Sequence, residues 1–128
     1  MVSIVPADEQ FIKNHVTQPD NEMQSSFCLA AYDGNTCIGY IYCKINEQEV
    51  LILELKTSDN IIAESMVRAA LNASAGKGAV VAGCCNIHLF PLLKKLGFAE
   101  NNGSSSTTEI RAEISSVLPD GGCKGCNK

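Results

Sequence analysis

Apolar and polar positions divide this chain into a strand-rich first half and a second half that mixes helices with short strands. Apolar runs at Phe27–Tyr32, Thr36–Ile45 and Val50–Leu55 have the length and residue types of β-strands. Asp33-Gly34-Asn35 lies between the first two runs, and glycine there supplies the positive φ of a hairpin turn. Asn46-Glu47-Gln48 makes the next reversal, so three successive antiparallel strands are expected. Ahead of them, Val2–Val5 reads as a short strand. Asp8–Val16 reads as one or two helical turns with Phe11, Ile12 and Val16 as its apolar positions.

Thr57-Ser58-Asp59-Asn60 ends in three good N-cap residues and leads into Ile61–Ala75, where Ile62, Met66, Val67, Ala70 and Leu71 share one helical stripe. Gly76-Lys77-Gly78 stops that helix, and Ala79–Ala82 follows as a short small-residue strand. His88–Leu96 reads as a second helix, with Pro91 near its first turn and Gly97 as its stop. Phe98–Glu100 starts another strand, 101–106 is a polar loop, and Thr107–Val117 alternates as a last strand. The expected fold is one α/β (α+β) domain over residues 1–119, a mixed, mostly antiparallel sheet flanked by helices. A flexible tail bearing glycine and cysteine covers 120–128.

The 128 residues suit one domain, and 45% hydrophobic with 19% charged side chains excludes a disordered chain. No apolar run reaches the ~18–20 residues that a membrane span needs, and no basic-then-apolar leader opens the sequence. Seven cysteines, an odd number with several inside apolar runs, fit reduced thiols packed as small hydrophobes. An unexported, cytoplasmic protein without a membrane partner is the expectation. Net charge is −4 and no stretch concentrates Lys or Arg, which argues against nucleic acid. The charge is uneven, −6 over residues 1–60 and +2 over 61–128, so a small anion would prefer the second half.

Asn86, Leu89, Leu92-Leu93, Lys95, Leu96, Gly97 and Phe98 follow the spacing of a segment in the GNAT-type N-acetyltransferase superfamily. There the segment reads Asn, an Ala-like residue, a Leu-Tyr pair, then Lys, Leu, Gly and Phe. The order of hairpins, long helix, short strand and short helix agrees, so the chain resembles that superfamily from Thr36 to Phe98, about half its length. The resemblance implies acyl-coenzyme A-dependent transfer to an amine or other small-molecule acceptor. It places the cofactor along Leu55, Lys56, Ser58, Asn60, Ile61, Ile62, Ala63 and Asn86. Ser58, Ile61 and Ala63 stand where the superfamily's pyrophosphate loop has Arg or Gln, Gly, and Gly or Ala. A β-branched Ile61 puts bulk near the phosphate oxygens, and Asp59 and Glu64 add negative charge at the helix start. Acetyl-CoA is therefore expected to bind weakly. Leu93 replaces a tyrosine that in many members protonates the departing thiolate, and leucine has no proton to give. About 25 residues precede the first hairpin strand, which implies a shallow acceptor site.

Several residues have both a chemical and a plain reading. Glu54, placed by a period of two on the face of Ile52 and Lys56, is the candidate general base; the plain reading is a surface residue paired with Lys44 or Lys56. Asn86 is either a contact for the pantetheine arm or an ordinary N-cap. His88 and His15 read more simply as surface histidines than as bases. Cys84-Cys85 could be an activated thiol pair, but small-residue packing explains them better. Cys123-Lys124-Gly125-Cys126 is a C-x-x-C without a well-spaced second pair, so a thiol or metal site there is the lesser expectation and no metal is assigned. Lys77, Lys94 and Lys95 could meet phosphates or simply cover a surface. Finally, strand 36–45 puts Ile38, Tyr40 and Tyr42 on one face and Cys37, Ile41, Cys43 and Ile45 on the other. A sheet apolar on both faces with a short N-terminal cover suggests a homodimer, which would leave a non-catalytic binding module as the alternative function.

Overall fold

A computed structural model describes residues 2–17, 26–100 and 109–118. Its strands are β1 (Val2–Pro6), β2 (Ser26–Asp33), β3 (Thr36–Asn46), β4 (Glu49–Thr57), β5 (Val81–Cys84), β6 (Ala99–Glu100) and β7 (Ile110–Glu113). They form one sheet in the order β1-β2-β3-β4-β5-β7-β6. Only β4 and β5 pair in parallel; the other neighbours are antiparallel. The helices are α1 (Glu9–His15), α2 (Asn60–Ala75), α3 (Phe90–Lys95) and α4 (Ile114–Val117), with a 3-10 turn at Ile87–Leu89 before α3. The expected loop at 101–106 and the tail at 120–128, with Cys123 and Cys126, lie outside the described residues.

The sheet separates two apolar layers. On the α2 side, Ile41, Cys43, Val50 and Ile52 pack with Met66, Val67, Ala70 and Leu71. On the other side, α1 lays Ile12 and Val16 over Cys28, Tyr40 and Tyr42, with Phe11 and Leu53 alongside. The N-terminal segment thus closes the second face, and the uncovered sheet face that suggested a dimer is absent among the described residues. Asp8 caps α1 by accepting from the Phe11 N–H at 2.9 Å, which fixes where the segment turns onto the sheet.

Two β-bulges break the strict alternation. Ala31 pairs with Gly39 and Tyr32 with Cys37, leaving Ile38 as the extra residue. Ile38 therefore packs on the α2 side with Ile41, away from Tyr40 and Tyr42, which corrects the expected grouping. Beside this bulge β3 lies so close to β4 that a Cβ on Gly39 would be 2.5 Å from the Lys56 carbonyl oxygen and 2.7 Å from the Thr57 Cβ. Both obstacles are close to backbone and cannot swing away. Gly39→Ala is expected to cost about 2 kcal/mol, lowering Tm by about 6–10 °C in a thermal melt; an unchanged Tm would show that the strands slide apart freely.

Two elements differ from expectation. β5 begins at Val81 because the residues before it are spent on other work: the Ala79 N–H bonds the Ser74 carbonyl at 3.0 Å and the Val80 N–H bonds the Gln48 carbonyl at 2.8 Å. The expected last strand ends at Glu113 and turns helical, with Ile114 and Val117 both buried. Those two side chains are three apart, so they share one helical face, whereas in a strand they would point to opposite faces.

Candidate active site

The parallel ladder between β4 and β5 is short: Glu49, Val50 and Leu51 pair with Val81, Ala82 and Gly83, and pairing stops there. A second bulge follows at once. Cys43 pairs with Ile52 and Tyr42 with Glu54, so Leu53 is the extra residue and β4 bends away from its parallel neighbour. The opening is a cavity of about 300 Å³ lined by Thr17, Leu53, Glu54, Leu55, Lys56 and Asn86. Along its wall the β4 backbone has no neighbouring strand on the β5 side among the described residues, so its N–H and C=O groups can serve a ligand.

The same bulge decides which way Glu54 faces. Ile52 belongs to the α2-side core and Leu55 packs against it, whereas Glu54 bonds Tyr40, a member of the α1-side layer. Glu54 therefore does not share a face with Ile52. Its carboxylate accepts the Tyr40 hydroxyl at 2.9 Å and the Thr17 N–H at 3.1 and 2.9 Å. The Tyr40 hydroxyl also lies 2.9 Å from the His15 carbonyl, and one proton cannot fully serve both acceptors. Burial first, then the hydrogen bond to Glu54, pushes the Tyr40 phenol well above its ordinary range, so it remains a donor. When Glu54 gains a proton it can donate to the Tyr40 oxygen while Tyr40 turns to His15. The network thus satisfies both states of the carboxyl group, as a proton acceptor requires. Tyr40 and Thr17 carried no signal of this in the sequence, because their role depends on α1 crossing β4. His15 stacks on Phe11 with ring centroids 3.9 Å apart, which accounts for its ring without a catalytic role.

Asn86 sits across the cavity and satisfies both of its readings at once: it lines the opening, and its side-chain oxygen caps the 3-10 turn by accepting the His88 N–H at 3.1 Å.

At the start of α2 the arrangement is different. Asp59 caps the helix, and its Oδ1 accepts the N–H of Ile61 at 2.8 Å and of Ile62 at 3.3 Å. These are the first-turn amides that a phosphate would use at a helix N-terminus. An internal carboxylate already holds them. The Ile61 side chain is 74% exposed, so the first obstacle to an anion is Asp59. Ile62 is partly buried and Ala63 buried in the α2 packing; Ser58 and Asn60 flank the cap. The three lysines are engaged elsewhere: Lys95 pairs with Glu64 at 3.2 Å, Lys94 with Glu100, and Lys77 lies 5.2 Å from the Phe27 ring centroid. Glu64 is thus neutralised by Lys95, and the charge that opposes a phosphate is that of Asp59. Leu93 is fully buried in the core and supplies no proton to the cavity.

Four of the thiols are held in their neutral form by their environment. Burial pushes Cys84 up to about 11 and Cys28 up to about 12, and raises Cys43 further. Cys85, although exposed, is raised as well, so the pair is not an activated nucleophile. Such groups stay neutral in the folded chain and ionise in the unfolded chain near pH 9. Stability is therefore expected to be intact below pH 9 and to fall as pH rises beyond it. Denaturant midpoints measured from pH 7 to 10.5 check this, and a flat profile would contradict the burial of these thiols. Among the described residues no group of His, Cys, Asp and Glu could hold a metal ion, and no helix is long and apolar enough to cross a membrane.

No protein-family model matches the sequence, and no curated protein matches it significantly. Solved structures do. The ribosomal-protein-S18-alanine N-acetyltransferase from Escherichia coli superposes with a TM-score of 0.66 at 10% identity, over 89% of this chain and 94% of that one. The PaiA N-acetyltransferase from Thermoplasma acidophilum, solved in complex with coenzyme A, gives 0.62 at 17% identity over 84% and 80%. An IAA acetyltransferase from Bacillus cereus gives 0.62 at 16% identity over 87% and 97%. The chain has the fold of the GNAT N-acetyltransferases. The opening between β4 and β5 is the place in that fold where Glu54, the free β4 backbone and Asn86 converge.

Proposed function

We propose that this protein transfers an acyl group from a thioester such as acetyl-CoA to an amine, holding the acyl end of the donor well and its pyrophosphate poorly. The observation that carries this reading is the Glu54 carboxylate, fixed by Tyr40 and Thr17 at the mouth of the β4–β5 opening. A neutral amine attacks the thioester carbonyl, the C–N bond forms, and the C–S bond breaks. Glu54 takes the proton that the nitrogen must lose. Backbone N–H groups of β4 near Leu55 steady the carbonyl oxygen as it gains charge. The thiolate leaves without help from Leu93 and is protonated by water. No covalent acyl-enzyme is required.

The donor's two ends separate in an experiment. Acetyl-CoA and S-acetylpantetheine, offered with a panel of primary amines, are expected to give KM values within about threefold of each other, because the α2 amides add little to binding. Release of free thiol is the readout. A much lower KM for acetyl-CoA would mean that its phosphates are held after all. A non-catalytic module that binds a ligand or a protein on the same scaffold is the second reading, favoured by the Asp59 cap and by Leu93. It replaces the first if neither donor releases thiol with any amine.

A further inference from the structure

We propose that the free edge of β1 pairs with the β1 of a second copy about a two-fold axis through Ile4, joining two sheets into one. The two edges of the sheet are protected very differently. β6, at one end, has two residues and carries Glu100, which is bonded to Lys94. Shortness and charge are the usual defences of an edge strand. β1, at the other end, has five residues, Val-Ser-Ile-Val-Pro, with no charged side chain. Val2 and Val5 are 41% and 40% exposed. Among the described residues no strand pairs with the outer side of β1.

The outward groups of β1 complement themselves. The Ala7 N–H bonds the Cys28 carbonyl at 2.9 Å, continuing the register in which Pro6 pairs with Leu29 and Val5 with Ala30. Backbone groups alternate sides along a strand, so Ser3 and Val5 point their N–H and C=O toward β2. Val2, Ile4 and Pro6 point theirs outward, and the proline, which has no N–H, falls on the open side where it costs no internal bond. In an antiparallel pair centred on Ile4, Val2 faces Pro6 of the second copy and Ile4 faces Ile4. The N–H groups of Val2 and Ile4 in both copies then each find a carbonyl, and the donor that Pro6 lacks leaves no N–H unmet. A register shifted by two residues would no longer set Ser3 opposite Val5, so the side-chain pairing across the two-fold distinguishes this register from its neighbours. Ser3 of one copy comes opposite Val5 of the other, with side chains close together because that pair is not hydrogen-bonded. The partner is therefore a second copy of this chain. An edge this short buries less than the usual stable interface, so the dissociation constant should be on the order of 100 µM.

Sedimentation velocity from about 5 to 500 µM tests the inference, since it is independent of acyl transfer. The expected result is a reversible monomer–dimer equilibrium. Ser3→Glu and Val5→Lys each place a charge on an exposed edge side chain whose backbone bonds to β2 are unchanged, and each should weaken dimerisation at least fivefold with no change in the melting of the dilute monomer. Combined in one chain they put Glu opposite Lys across the two-fold, and the double variant should recover dimerisation to within about twofold of the original. A strict monomer at 500 µM overturns the proposal. So does a dimer indifferent to the single changes, or a double variant that fails to recover.

Discussion

Glu54→Gln is expected to lower the rate of acyl transfer by about 10²–10⁴-fold, the usual contribution of a positioned proton acceptor. The substitution keeps the shape of the side chain and an oxygen that can still accept from Thr17 and Tyr40. It removes only the ability to take the amine's proton. The loss should therefore fall on kcat, with KM for the donor nearly constant and Tm within a few degrees of the original. Steady-state kinetics beside a thermal melt separate these effects. Full activity in the glutamine variant would mean that water accepts the proton directly and that the Glu54 network only anchors α1 to β4.

Asp59→Gly is expected to tighten acetyl-CoA binding by about 10–100-fold while leaving S-acetylpantetheine unaffected. The change frees the Ile61 and Ile62 amides, held at 2.8 and 3.3 Å in the native chain, and removes a negative charge from the place where phosphates would sit. Hydrogen bonds to charged groups contribute about 1.5–3 kcal/mol, which sets the scale. Glycine remains a tolerable N-cap, so α2 should lose only a few tenths of a kcal/mol relative to a good cap. Ile61→Gly by itself should change affinity little, because the amides stay engaged by Asp59. Calorimetric titration of the two variants with both donors decides the matter. Tighter binding from Ile61→Gly alone would return the obstacle to side-chain bulk at that position.

The local signals in the sequence were strong wherever one short stretch carried all the needed chemistry. Asp33-Gly34 turns where expected, with Gly34 at φ +66°, and Gly97 stops α3 at φ +116°. The α2 stripe buries Met66, Val67, Ala70 and Leu71 as its spacing demands. Asp59 was legible as a cap, since aspartate before an amphipathic run is a standard helix start, and its negative charge was legible too. That its carboxylate would take the very amides a phosphate needs follows from that cap only once the backbone geometry is known. By contrast, the alternation of Ile110, Ala112 and Ile114 suits a strand while Ile114 and Val117 suit a helical face, and the neighbouring Val80 carbonyl, which accepts the Ile114 N–H at 3.0 Å, ends the strand in favour of a turn of helix.

The chain's own pattern determined that three antiparallel strands would be followed by one long capped helix, and that Cys28, Cys43 and Cys84 inside apolar runs would be packed, while Cys37 in the same kind of run is exposed. Those features depend on neighbours in sequence: turn dihedrals, cap bonds and the 3.6-residue stripe. Which way Glu54 points was decided elsewhere. An extra residue at Leu53 exists only relative to the partner strand, because a bulge is a mismatch in length between two ladders and has no residue type of its own. Once it forms, it turns Glu54 from the face of Ile52 to the face of Tyr40 and opens β4 from β5. The carboxylate, the Thr17 amide just after α1 and the cap at Asn86 are distant in sequence, and the tertiary packing of α1 and β5 around that one bulge is what brings them together.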